Sequence, residues 1–190
     1  MKKTIIEIFE SQRGYLHAKQ LNGRNQYYQL KELVERGEVV MIKRGLYKHT
    51  KIVVENDWAE VNKIVPNGIF CLFSAWQFYG LSTHIPAEYH MAIPAKSKIK
   101  LPSFPPIKIY YWIPDYYSLG KSVEEGIAIY NLERSVCDAV KFRNKVGKEI
   151  TSEVLRNYLS KKDRSIDLLI KYSKELRVEN ILKGYLEVML

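Results

Sequence analysis

The chain of 190 residues contains little cysteine: Cys71 and Cys137 are its two. Neither has a second Cys or His at zinc-finger spacing, which argues against a structural metal site. Both stand in apolar stretches (Ile69–Phe73 and Ser135–Val140), where buried free thiols are expected. A phosphate-cradling loop is missing too, because the ten glycines are scattered and none forms Gly-x-x-x-x-Gly-Lys or Gly-x-Gly-x-x-Gly. No Ser or Cys lies in a nucleophile elbow. His84 and His90 flank Pro86 without a third ligand and read as surface or packing residues. Neither a metal nor a cofactor is therefore expected. No run approaches the ~18 apolar residues that a bilayer-crossing helix needs. The N-terminus begins like a signal peptide, but Glu7 and Glu10 interrupt its apolar run. A soluble, cytoplasmic protein with no membrane partner is the expectation.

What is present is a globular composition with a basic excess. Apolar residues make up 46%, enough for a core, and the formal net charge is +9. Residues 1–51 hold eleven Lys and Arg against five Asp and Glu, and residues 52–190 hold nineteen against sixteen. Six of the nine excess charges thus fall in the first quarter of the chain. A basic surface draws polyanions over about a Debye length.

The first fifty residues read as one unit. Thr4 can cap a helix with Ile5, Ile6, Ile8 and Phe9 on its apolar face, and Gly14 ends it. Tyr15-Leu16 is short and extended, a brief helix follows from His17 to Leu21, and Asn22-Gly23 is a turn. A longer helix runs from about Asn25 to Arg36, with Tyr27, Leu30, Leu33 and Val34 sharing its core face. Val39–Ile42 and Leu46–Lys48 are strands joined at Arg44-Gly45. This is the order of a winged helix-turn-helix, here residues 1–51. Residues 52–190 read as an α+β domain with a helical C-terminal end. Its parts are a helix over 52–66, a helical aromatic stretch from Ile69 to about Ser82, and strands near Tyr89–Ile93, Ile107–Ile113 and Gly126–Tyr130. Helices then run from Asn131 onward. The fold class is α+β throughout.

Helical geometry, at ~100° per residue, decides what the long helix of the first unit turns outward. Opposite the core face stand Arg24, Asn25, Tyr28, Gln29, Lys31 and Glu32. Arg pairs with guanine, Asn and Gln pair with adenine, and Tyr or Lys reaches phosphate. The set clusters at the N-terminal end, the end a recognition helix points into the major groove. Lys43 and Arg44 at the hairpin tip can reach an adjacent phosphate or minor groove. Double-stranded operator DNA is the partner this implies.

Three segments resemble the AbiEi antitoxins of abortive-infection toxin–antitoxin systems. Arg44-Gly45-Leu46-Tyr47 is similar to the Arg-Gly-hydrophobic-Tyr end of their wing. Ser74-Ala75-Trp76-Gln77-Phe78-Tyr79-Gly80-Leu81 is similar to their Ser-Ala-x-x-x-x-Gly-Leu helix end. Glu133-Arg134-Ser135-Val136-Cys137-Asp138 is similar to their Glu-Arg-Thr-hydrophobic-x-Asp. The resemblance covers about residues 1–145 and leaves the last forty-five unmatched. It implies a non-enzymatic transcriptional repressor that autoregulates its operon and neutralises a nucleotidyltransferase-like toxin. Two other readings stay open. A DNA-targeted nuclease would need carboxylates such as Glu124, Glu125, Glu133 and Asp138 to converge on Mg²⁺. The commoner role for Arg134 and Asp138 at i, i+4 is to pair, with Asn131 as the cap of their helix. A transcription factor whose second domain senses a small ligand is the third.

Overall fold

Thr4 begins the first helix through a reciprocal cap. In the computed structural model, which describes residues 4–52 and 57–189, the Thr4 side chain accepts from the Glu7 amide. The Glu7 carboxylate in turn accepts from the Thr4 amide at 2.7 Å. Helix α1 (Ile5–Ser11) buries Ile5, Ile8 and Phe9, while Ile6, expected on the same face, turns outward and is 38% exposed. Next come strand β1 (Tyr15–His17), a 3-10 turn (Ala18–Gln20), helix α2 (Arg24–Glu35), and the hairpin of β2 (Val39–Lys43) and β3 (Leu46–His49). The three strands form an antiparallel sheet in the order β1-β3-β2. Ile5, Ile8, Phe9, Leu16, Leu30 and Val39 make up the core beneath it.

Helix α3 (Asp57–Ile64) belongs to this first unit. Its Glu60 carboxylate accepts a hydrogen bond from the Tyr15 hydroxyl at 2.7 Å and pairs with the Lys48 ammonium. The chain divides after Pro66, later than the sequence pattern places it near residue 52, and residues 100–103 also group with the first unit. The helix expected over 52–66 is present over Asp57–Ile64, while residues 53–56 lie outside the described ones. The revised boundary changes the charge argument. By sequence, residues 1–66 and 100–103 hold thirteen basic against eight acidic residues, and the rest hold seventeen against thirteen. The excess is therefore shared almost evenly, and any polyanion site has to be found in local arrangement.

The second unit carries a five-stranded mixed sheet, β6-β5-β4-β8-β7. Its strands are β4 (Ile69–Phe70), β5 (Tyr89–Pro94), β6 (Ile107–Trp112), β7 (Lys121–Glu124) and β8 (Ile127–Tyr130). Neighbours β4/β8 and β5/β6 run parallel, and the other two pairs run antiparallel. The helices are α4 (Leu72–Phe78), α5 (Pro114–Ser118), α6 (Leu132–Val146), α7 (Lys148–Leu159), α8 (Ile166–Glu175) and α9 (Glu179–Met189). The stretch from Ile69 is not helical throughout, as its apolar run suggested. Ile69 and Phe70 pair with β5 and β8 as the central strand, and the helix starts only at Leu72. A strand buried on both faces has no polar alternation to announce it.

Helix α6 is the spine of this unit. Its first nine residues, Leu132 through Val140, are all buried. Asn131 caps it, its side-chain oxygen accepting from the Arg134 amide at 3.1 Å. Two of the sequence segments singled out above meet here, because the Trp76 indole donates to the Ser135 carbonyl at 2.8 Å. Arg134 is fully buried. Its Nε donates to Asp138 Oδ1 at 3.0 Å, and Nη1 donates to the carbonyls of Tyr116 (2.7 Å) and Leu119 (2.8 Å). The guanidinium carbon lies 4.4 Å from the Trp112 ring centre and 4.5 Å from that of Tyr130. Burial pushes the Asp138 carboxyl up to about 6 although Arg134 opposes the shift.

Gly120 is where the chain makes room for Arg134. It has φ +70°, and a Cβ there would fall 2.5 Å from the Arg134 Cβ. Gly126 has φ +80° with open space around it. Gly126→Ala is expected to lose only the left-handed-conformation cost of about 1–2 kcal/mol. Gly120→Ala adds overpacking and should lose about 2–5 kcal/mol in all. Urea denaturation of both variants measures the difference, and equal losses would contradict the packing of Gly120 on Arg134.

Candidate nucleic-acid interface

Two residues fix the rotation of α2. Leu30 is buried in the core, and Gln26 is buried beside it, its side-chain oxygen accepting from the Asn22 amide at 2.6 Å. Leu33 packs on the same cluster. The core face is thus Gln26, Leu30 and Leu33, not the Tyr27, Leu30, Leu33 and Val34 that hydrophobicity suggests. Tyr27 is 47% exposed and Val34 37% exposed. Satisfying Gln26 inside the N-terminal turn costs little, since its amide oxygen finds a backbone donor there.

The predicted outward residues all stand in solvent. Arg24, Asn25, Tyr28, Gln29, Lys31 and Glu32 are exposed, Tyr28 to 65%. Charge is uneven along the helix. Arg24 and Lys31 lie in an N-terminal stretch without a carboxylate, and the acidic residues Glu32 and Glu35 fall in the last turn. Glu32 is paired with Arg36 at 2.5 Å. Tyr27 and Tyr28 meet edge to face at 6.4 Å, and the Lys31 ammonium sits 5.7 Å from the Tyr27 ring centre. These contacts limit the rotamers of the outward side chains without burying their polar ends.

At the hairpin the two predicted cations behave differently. Arg44 is exposed at the turn, beside Gly45 with φ +79°. Lys43 is half-buried, and its ammonium donates to the Ile64 carbonyl at 2.5 Å. Burial lowers its pKa. The turn is tied to the 3-10 segment, the Ala18 amide donating to the Gly45 carbonyl at 2.8 Å. His17, next to that segment, has its pKa lowered by burial and then by Lys19, Lys43 and Lys63. The cations around the hairpin therefore come from three separate parts of the sequence. Lys19 and Lys63 were not identified from sequence, because no spacing rule links residue 63 to residue 43. Lys48 is engaged by Glu60.

The carboxylates that a nuclease would need are engaged or apart. Glu133 Oε1 accepts from the Ser165 amide at 2.9 Å and faces the Tyr158 hydroxyl at 3.4 Å. Asp138 is paired with Arg134, and Glu124 accepts from the Ser122 hydroxyl at 2.5 Å. Among the described residues, no group of three His, Cys, Asp or Glu is placed to hold a metal ion. His90 is buried with Nδ1 2.9 Å from the Tyr110 hydroxyl, and burial lowers its pKa to about 4. The His84 ring packs on Phe73 with centres 4.9 Å apart. Cys71 and Cys137 are buried free thiols. Among the described residues, no helix is long and apolar enough to cross a membrane.

No protein-family model matches the chain, and no curated protein matches it. Among solved structures it is similar to the RV2827C protein from Mycobacterium tuberculosis, with a TM-score of 0.63 and 12% identity. The match covers 95% of this chain and 75% of that one. At that identity the likeness is one of fold.

Proposed function

We propose that the chain reads duplex DNA through its first unit and serves as a transcriptional repressor and antitoxin. In this reading the order α1, β1, 3-10 turn, α2, β2, β3 is a winged helix-turn-helix, with α2 in the major groove and the β2–β3 hairpin as the wing. One observation carries it. Arg24, Asn25, Tyr28, Gln29 and Lys31 stand exposed together over residues 24–31 of α2, with no carboxylate among them. An outward helix face used only for solubility more often alternates Glu and Lys, which pair and repel phosphate about as much as they attract it. The engagement of Glu133 and Asp138 in structural bonds weighs against a nuclease. The antitoxin half of the proposal rests on the three AbiEi-like segments. It implies autoregulation of an operon in the cytoplasm and a nucleotidyltransferase-like toxin as functional partner.

The two kinds of DNA contact should separate by mutation. Replacing Arg24, Asn25 or Gln29 with Ala is expected to cost about 1–3 kcal/mol on the promoter DNA upstream of the gene and little on scrambled DNA. Lys31→Ala and Arg44→Ala should weaken both DNAs alike and flatten the log–log salt dependence by about one unit each. Lys43→Ala should leave that slope nearly unchanged and lower thermal stability instead, because its ammonium already serves the Ile64 carbonyl. Fluorescence anisotropy at several salt concentrations reads all three. Equal losses on both DNAs for Arg24, Asn25 and Gln29 would confine α2 to backbone contacts.

The second functional half is tested with fragments cut at the observed boundary. Residues 1–66 should bind the promoter weakly, having lost any avidity from a second site, and should not rescue cells from the cognate toxin. Residues 67–190 should lose specific DNA binding and retain rescue in a growth assay. Failure of a folded, expressed 67–190 fragment to rescue would contradict the assignment of antitoxicity to the second unit.

A further inference from the structure

The second unit contains an open cavity of ≈ 390 Å³ between β6, α5 and α6. That volume falls in the range of small-molecule sites. Its walls are aromatic: Trp112 and Phe142 lie nearly parallel at 6.1 Å, and Tyr110 meets Phe142 edge-on at 6.2 Å. Tyr116 lines the side that α5 contributes.

The charged side chains that line the cavity are basic. They are Lys141, Lys145 and Arg134, with no Asp or Glu among the described lining residues. The Lys141 ammonium sits 4.4 Å from the Tyr116 ring centre and donates to the Leu176 carbonyl at 3.1 Å, which leaves donors in hand. Lys145 is exposed at the rim, its ammonium 5.7 Å from the Phe142 ring centre. Arg134 lies against Trp112, covered from solvent, and its Nη2 has no hydrogen-bond partner among the described residues. Its charge is paired with that of Asp138 at 3.0 Å, which leaves Lys141 and Lys145 as the cations that face the opening. Core packing explains Arg134 and Trp112, which is only 7% exposed. It does not explain why the half-buried rings of Tyr110, Tyr116 and Phe142 and two more lysines gather around the same opening.

We propose that this cavity binds a small planar aromatic anion, its ring against Phe142 and Tyr110 and its acid group between Lys141 and Lys145. Stacking supplies the apolar part of recognition, and the lysines select the anion over its neutral counterpart. All these residues belong to the second unit, so the site is independent of the DNA-reading proposal.

Calorimetric titration of the full chain tests it with two probes, indole-3-acetate and adenosine 5′-monophosphate, each beside its neutral counterpart, indole-3-acetamide or adenosine. At least one anion should saturate at one equivalent, and its neutral counterpart should bind about tenfold more weakly. Saturation by the indole acid points to aromatic carboxylates, and saturation by the nucleotide to nucleoside phosphates. Lys145→Glu, at an exposed position, should weaken the anion about tenfold while lowering the melting temperature by only a few degrees, the cost of an acid in the last turn of α6. Phe142→Ala should also weaken it. The proposal is overturned if neither anion saturates below roughly 5 mM, if the neutral counterpart binds equally well, or if Lys145→Glu leaves the affinity unchanged.

Discussion

The second unit is built around one buried cation. Arg134 joins α6 to the Tyr116 carbonyl of α5 and the Leu119 carbonyl just after it, to the Trp112 ring of β6 and to the Tyr130 ring of β8, while its Nε holds Asp138. A guanidinium suits this position because its planar fork can donate in several directions while its faces stack on rings. Taking it out of water is expensive, and removing it would leave Asp138 as an uncompensated buried charge, a loss on the order of 3–5 kcal/mol. The sheet and the helical cluster are therefore coupled at one residue. The same arrangement decides what the acidic residues of α6 can do. A carboxylate committed to Arg134, with its pKa raised by burial, is poorly suited to share a divalent ion.

The first unit solves a related problem at Glu60, which takes the Tyr15 hydroxyl and the Lys48 ammonium and so fastens α3 to β1 and β3. One consequence is electrostatic. Lys48 and Lys43 are both committed to α3, so the hairpin's outward charge comes from Arg44. A second consequence concerns precision. Side chains that read base edges need a rigid support. Leu30 and Gln26 hold α2 on the core while Arg24, Asn25, Tyr28 and Gln29 remain in solvent.

Much of this was legible in the sequence where periodicity was strong. The outward set on α2 was correctly placed in solvent, because its six residues are polar or amphipathic and fall outside the face of Gln26, Leu30 and Leu33. The exact phase was not legible. Hydrophobicity scales put Tyr27 inside and Gln26 outside, whereas a local bond to the Asn22 amide lets Gln26 be buried. Asn131 as a cap and the Arg134–Asp138 pair followed from spacing and are present. Strand β4 was hidden inside a continuous apolar run. Strand β7 escaped because Lys-Ser-Val-Glu is polar and pairs on one side only. The division after Pro66 depends on Glu60 reaching residues 15 and 48, a long-range contact that no local pattern encodes. The aromatic cavity is of the same kind, since Tyr110, Trp112 and Phe142 come together only through the packing of β6 on α6.

The central claim is that the outward half of α2 meets DNA. Backbone amide chemical shifts of the full chain, titrated with a short duplex from its own promoter, address it directly. The account predicts that the largest changes fall on residues 24–31, with a second group at 43–46, and that a scrambled duplex shifts the second group more than the first. Changes confined to the second unit, or none at residues 24–31 with the promoter duplex, would contradict it.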